Sequence, residues 1–443
     1  MLKPFIKTGL TAALTTMLIA CGGDSDSDSA SQSAGLNIND CFWQGPYSID
    51  NPASNFAYPD TGATYWSTRY TLPEGATLKL HGEFPYARYM SLNSYRADAS
   101  PADAISDADI IPAQGAINPF INGNERYSKF RDYSLTLAAG ETPEQPAENT
   151  LYDYAGNGQA VLLYRVYVPD NGKSIAGGVD LPQPELTTAD GEVLTGQSAC
   201  DALKNVQGLE DTPFVPADTY AKARQNNPAK TEPLWKAAYN FSYSLYCSFF
   251  GACNPTPERQ VPWFANLDNQ YMSSFIDRNI KPVVVIRGRI PNVPKTLHGA
   301  ATFDSSDAQL RYWSICQNEY YSQKVTACLY DEQITINPDG QFTIVTSLEK
   351  DRPSNATEKC GVGYLQWSED GDGFGIIEGR ENAETDGLLI IRNMLPVNGF
   401  EKTIQNTQTP GDEANVLAEF MPTTQYMTKL EFEALGCDPY SSL

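Results

Sequence analysis

The sequence holds 443 residues, with 54 acidic against 31 basic side chains and a formal net charge of −23. A chain this acidic is repelled by nucleic acid and by anionic membrane surfaces, which excludes nucleic-acid binding as its work. Hydrophobic residues make up 41% of it, and the length predicts two or three domains.

Residues 1–20 read as an export signal, not as part of the fold. Lys3 and Lys7 give a positive start, Leu10 to Ala20 form an apolar core too short for a stable spanning helix, and Leu18-Ile-Ala-Cys21 resembles the bacterial lipobox. That resemblance implies cleavage before Cys21, lipidation of its thiol and a membrane anchor. Gly22 after the cysteine implies the outer membrane of a two-membrane cell envelope, facing the periplasm or the surface. Residues 21–40, including Asp24-Ser-Asp-Ser-Asp-Ser29, lack the apolar side chains of a core and are expected as a disordered tether.

The remaining cysteines, Cys41, Cys200, Cys247, Cys253, Cys316, Cys328, Cys360 and Cys437, are an even count in an exported chain and predict disulfides. Cys41 with Cys200 would close the first half of the chain. Cys247 lies near Cys253, and Cys316 could face Cys328 across a hairpin, leaving Cys360 for Cys437. Eight cysteines allow 105 pairings, so the connectivity stays open. With no CxxC and only two histidines, a zinc site has little to draw on.

From Cys41 to Cys200 the chain reads as short strands between Gly, Pro, Asn and Asp turns: Thr64 to Tyr70, Thr77 to His81, Ala87 to Leu92, Tyr133 to Leu137 and Val161 to Val168. Leu78 and Leu80 alternate with Lys79 and His81, which predicts one buried and one wet face. Asp107 to Asn124 reads as a long loop. Residues 201–275 differ. Trp235, Tyr239, Tyr243, Tyr246 and Phe250 recur every three or four residues, which predicts an amphipathic helix over Glu232 to Phe250. Its aromatic stripe would pack against a sandwich, or Trp235 and Tyr239 would line a ligand cleft.

From residue 276 the pattern of the first half returns. Val283 to Pro291 mirrors Leu78 to Pro85, Arg311-Tyr-Trp-Ser314 mirrors Arg88-Tyr-Met-Ser91, and Phe342 to Thr346 mirrors Tyr133 to Leu137. Gly387 to Pro396 mirrors Ala160 to Pro169, each with an arginine, Arg392 or Arg165, four residues before the proline. Four blocks in one order predict a mostly β chain: two tandem homologous β-sandwich, jelly-roll-like domains at 41–200 and 276–443, joined by a helical, aromatic-rich connector at 201–275. Thr428 to Cys437 reads as a short capped C-terminal helix.

Arg311-Tyr-Trp-Ser-Ile-Cys316, Asp339 to Val345, Asp351-Arg-Pro353 and Gly387 to Pro396 resemble a family of uncharacterised bacterial secreted proteins and, more distantly, the domain-of-unknown-function family numbered 1214. The resemblance implies β-sandwich folds in envelope proteins. It brings no reaction and no catalytic residues.

The chemistry-bearing motifs are few. No Gly-x-Ser-x-Gly elbow occurs, and His81 and His298 are the only bases of their kind, which leaves serine hydrolysis without support. Asp370, Asp372 and Glu381 fall at positions one, three and twelve of a calcium-like loop with Gly375 at six; Phe374 stands where a ligand belongs at five. No other cofactor is indicated. Alternation sets Arg392 and Arg165 on the apolar faces of their strands, where a guanidinium needs a partner. Together with Arg88 and Arg311 they are either internal ion pairs repeated in both domains, or the anion-reading groups of a pocket lined by tyrosine and tryptophan. The resulting expectation is a non-catalytic, lipid-anchored envelope protein that binds a small molecule, glycan or protein partner. The alternative is a hydrolase using paired carboxylates at the domain junction.

Overall fold

The computed structural model describes residues 41–49, 54–96, 98–155, 158–205, 215–226, 233–240, 243–247, 256–260, 263–379 and 385–437. The signal region with Cys21, the tether, Cys253 and Glu381 lie outside them.

Alternation along two strands organises the molecule. In Ala160–Pro169, Leu162, Tyr164 and Val166 are buried on one face, while Leu163, Arg165 and Tyr167 take the other. In Asp386–Pro396, Leu389 and Ile391 enter a core that Leu388, Ile390 and Arg392 do not. Each strand is the centre of a sheet, because a continuous apolar run is stable only when both of its faces are covered.

The first half supplies β1 (Gln44–Tyr47), β2 (Ala63–Tyr70), β3 (Thr77–Glu83), β4 (Ala87–Tyr95), β5 (Pro101–Ser106), β6 (Asp132–Ala138), β7 (Thr150–Tyr152), β8 (Ala160–Pro169), β9 (Gln183–Thr187) and β10 (Val193–Thr195). The second supplies β11 (Lys236–Ala237), β12 (Asn269–Asp277), β13 (Val283–Arg289), β14 (Leu310–Asn318), β15 (Val325–Tyr330), β16 (Gln341–Ser347), β17 (Val362–Gln366), β18 (Asp386–Pro396) and β19 (Thr423–Met427).

The sheets repeat between the halves, except that β10 has no counterpart. One has the order β1-β2-β8-β4-β5 and its counterpart β11-β12-β18-β14-β15; the others run β10-β9-β3-β6-β7 and β17-β16-β13-β19. All pairs are antiparallel except β6 with β7 and β16 with β17, which are parallel in both halves. The four blocks repeated in the sequence are β3 and β13, β4 and β14, β6 and β16, and β8 and β18. The fold is thus mostly β, with two sheets in each half. The second half's core lies between its sheets, with Met272, Ile286, Ile315, Ile344, Leu389 and Ile391 in one cluster.

The alternation in β3 is as expected: Leu78 and Leu80 are fully buried, and Lys79 and His81 face solvent. The corresponding outer face of β13 is covered. Val283, Val285 and Met427 pack on Phe432 of the C-terminal helix Lys429–Glu433, whose Thr428 caps it together with Glu431. Disulfides join Cys41 to Cys200, Cys316 to Cys328 and Cys360 to Cys437. Cys247 is also disulfide-bonded.

The aromatic stretch departs from a single helix. The described part of the connector holds a helix at Ala217–Arg224 and one π-helical turn at Tyr243–Cys247, but residues 233–240 run extended and contain β11. Trp235, Ala237 and Tyr239 are buried while Leu234 is 62% exposed, the period of a strand. Pairing of Lys236 and Ala237 with Ser273 and Met272 of β12, and the bond from Trp235 Nε1 to Thr424 Oγ1 (2.7 Å), outweigh local helix preference. The second half therefore begins before residue 276, since β12 starts at Asn269.

Candidate ligand-binding cavity

The five-stranded sheets of the two halves meet through tyrosines. Tyr89 and Tyr167 of the first half pack with Tyr312, Tyr330 and Met394 of the second, with Tyr167 and Tyr312 ring centres 5.1 Å apart.

The contacts around this seam are reciprocal. Arg88 of β4 reaches across to Asp331 (Nη1 to Oδ1, 2.6 Å) and to Glu332, and its Nε donates to Thr296 Oγ1. Arg311, at the matching position of β14, reaches back to Asp107 (Nη1 to Oδ1, 3.1 Å). Each aspartate's second oxygen accepts the backbone N–H two residues after the same-half arginine: Met90 N to Asp107, and Trp313 N to Asp331. Residue i meeting j while j's counterpart meets i's is the signature of an approximate two-fold. Burial would raise the Glu332 pKa, but Arg88 and the N–H groups of Thr296 and Leu297 hold it below its usual value. Both pairs tie one half to the other, the Arg88 pair fully buried and the Arg311 pair nearly so.

Burial pushes the Asp107 carboxyl up to about 6, although Arg311 and the Met90 N–H pull it down. Burial does the same to Asp386, also to about 6, against the pull of Arg224. For such acids the folded state holds the proton more tightly than the unfolded chain. Their stabilising contribution is complete below the unfolded value near 3.8 and is lost as pH rises through about 6. Each contributes on the order of 2–3 kcal/mol. The thermal midpoint is therefore expected to be higher at pH 5 than at pH 7.5; a profile that rises over that interval contradicts this assignment.

Beside the seam lies a cavity of about 640 Å³. β8 contributes Leu163, Arg165 and Tyr167 to its wall, and β18 contributes Leu388, Ile390 and Arg392. Cross-strand neighbours complete the arginine rows: Tyr65 of β2 pairs with Arg165, and Tyr271 of β12 with Arg392. The guanidinium carbons lie 5.7 Å from the Tyr65 ring centre and 5.8 Å from that of Tyr271.

Both arginines reach over to a carbonyl of the other half. Arg165 Nη2 donates to Phe264 O (2.5 Å) and Arg392 Nη2 to Tyr58 O (2.6 Å). Phe264 and Tyr58 are themselves in the left-handed region, with φ of 51° and 52°. Such backbone is strained for bulky side chains and persists where its surroundings demand it.

Around Arg165 and Arg392 the symmetry breaks. Asp60, two residues after Tyr58, lies 3.5 Å from Arg392 Nη1 and also accepts from Tyr312 OH, Ser314 Oγ and the Gly62 N–H. Two residues after Phe264 stands Asn266, a neutral amide engaged with Tyr89. Arg165 is 2% exposed, has no carboxylate within ion-pair distance among the described residues, and its Nη1 has no hydrogen-bond partner there. Burial alone would lower its pKa, but the surrounding tyrosine oxygens raise it, so it stays charged. Those phenols do not neutralise it: burial pushes Tyr65 and Tyr95 up to about 12, so both remain protonated.

The remaining sequence candidates separate cleanly. Trp235 and Tyr239 are buried in the second half's core, not in the wall, where their neighbours Ala237, Asn240 and Tyr243 appear. His81 and His298 are exposed and do not line the wall. Asp372 is fully buried and accepts from Tyr220 OH and Arg224 Nε (both 2.8 Å) and from Phe374 N, so its oxygens serve a guanidinium and a turn. Asp370 is half-buried beside it. Asp60, Cys316 and Cys328 place three potential metal-ligand atoms together, but the sulfurs are bonded to each other and Asp60 is committed to Arg392. Tyr65, Tyr271, Asp60 and Asn266 were not singled out in the sequence. Extending the internal repeat N-terminally from β2 and β12 aligns all four.

No family model and no curated protein sequence matches the chain. Among solved structures it is similar to an uncharacterised protein from Burkholderia cenocepacia, at 11% identity over 89% of this chain and 84% of that one, with a TM-score of 0.45. It is also similar to a protein from Vibrio parahaemolyticus, at 10% identity over 84% of this chain and 90% of that one, with a TM-score of 0.38. Neither assigns a role to any residue.

Proposed function

We propose that this chain is a binding protein that holds a small molecule in the cavity between its halves. The observation that carries this is the cavity itself: its size is that of a ligand site, and aromatic and apolar residues make up most of its wall, with polar side chains among them. Hydrolysis by paired carboxylates needs two acids facing one bond. Among the described lining residues Asp98 is the one carboxylate, and it is exposed, which favours binding over that chemistry. The lipobox-like Leu18 to Cys21 supports the further proposal that the protein works tethered to the cell envelope. Loss of membrane fractionation in Cys21→Ala is the expected result there, and unchanged fractionation counts against it.

The binding reading is tested by filling the cavity. Ser273 lies in the wall, and Ser273→Trp places an indole in the space a ligand would need. Mass spectrometry of small molecules released from the purified protein is expected to show a retained compound that this variant lacks. The same retained compounds in both proteins would show that the cavity is not where they bind.

A further inference from the structure

Four arginines are repeated between the halves, and three are neutralised by carboxylates: Arg88 by Asp331 and Glu332, Arg311 by Asp107, and Arg392 by Asp60. Arg165 is the exception. It lines the cavity, is almost wholly buried, has no carboxylate within ion-pair distance among the described residues, and Asn266 stands where the repeat places Asp60. Asp268, which accepts from Tyr89 OH, attracts Arg165 only from beyond ion-pair distance. A buried guanidinium with no carboxylate in contact is costly, and an anion arriving beside it recovers part of that cost. A second, independent feature points the same way. In a chain of net charge −23, the described wall carries Arg96, Arg165, Lys236 and Arg392 against Asp98 alone. With Arg392 already paired to Asp60, the buried part of the site has one positive charge to spend.

We propose that the ligand is a small monocarboxylate with an aromatic or apolar body, its carboxylate read by Arg165. This rests on the binding reading above and adds the ligand's chemical class. One guanidinium with a free Nη1 and no carboxylate in contact matches one negative charge, and its planar donor fork suits a carboxylate. A second negative charge would have only Arg96, which is exposed, and Lys236, which already reaches Cys247 Sγ, to meet it. The body of the ligand lies against Tyr65, Tyr167, Tyr271 and Phe275, whose rings offer apolar area at little entropic cost.

Calorimetry on the full-length protein in detergent, with 2-naphthoate and its neutral amide 2-naphthamide as probes, tests this. The acid is expected to bind at least about tenfold more tightly than the amide. Arg165→Met is expected to weaken the acid far more than the amide and so remove that preference. Asn266→Asp supplies the carboxylate that the repeat provides at Asp60, and is expected to abolish the preference with Arg165 still in place. Equal binding of acid and amide, or a preference that survives Arg165→Met, overturns the ligand class while the cavity reading stands. Failure of both probes to bind overturns the two together.

Discussion

Arg88→Met is expected to lower the unfolding free energy by about 3–5 kcal/mol, measured by denaturant titration. The guanidinium is fully buried and holds two acids, Asp331 and Glu332, at the seam between the halves. Methionine fills most of the volume but leaves both carboxylates enclosed without their cation. Part of the loss is recoverable, because Glu332 also accepts from the N–H groups of Thr296 and Leu297. Arg88→Met combined with Glu332→Gln is therefore expected to cost less than the sum of the single changes. A loss below about 1 kcal/mol, the range of an exposed pair, would show that the seam does not depend on this contact.

Asp60→Asn is expected to be comparably damaging. The carboxylate is 2% exposed and gathers Arg392, Tyr312, Ser314 and the Gly62 N–H at once. An amide can still accept from the neutral donors, so the cost comes mainly from leaving Arg392 buried and unpaired, about 3–5 kcal/mol. Removing the arginine as well should restore part of it: Asp60→Asn with Arg392→Met is expected to be more stable than Asp60→Asn alone. An additive result would assign the damage to the lost hydrogen bonds instead.

The architecture was legible because it is written in local patterns. Alternation in β3 separates Leu78 and Leu80 from Lys79 and His81, and the four repeated blocks correspond to equivalent strands in equivalent sheets. The aromatic stretch misled because three-to-four spacing and two-residue spacing coexist in it. Trp235, Ala237 and Tyr239 follow the second, and pairing with β12 selects it. The site was half legible. The strand-borne arginines were visible, but their partners lie far away in sequence: Asp331 is 243 residues from Arg88, and Asp107 is 204 from Arg311. No local spacing selects those acids from the 54 present. The difference between Asp60 and Asn266 becomes meaningful only once the fold sets Asp60 beside Arg392 and engages Asn266 with Tyr89 instead.

The central claim is that one repeated arginine has two fates, locked in the second half and open to a ligand in the first. Unfolding free energies of Arg392→Met and Arg165→Met, measured side by side, test it most directly. Arg392→Met leaves Asp60 buried without its cation and is expected to lose at least about 3 kcal/mol. Arg165→Met breaks no direct carboxylate contact, and Asp268 keeps Tyr89 and the pull of Arg311. It is expected to stay within about 1 kcal/mol of the parent, because loss of its hydrogen bonds to Tyr95 and Phe264 is offset by removal of a buried charge with no carboxylate in contact. Equal losses at the two positions would mean that Arg165 is as structural as Arg392, and would contradict the account.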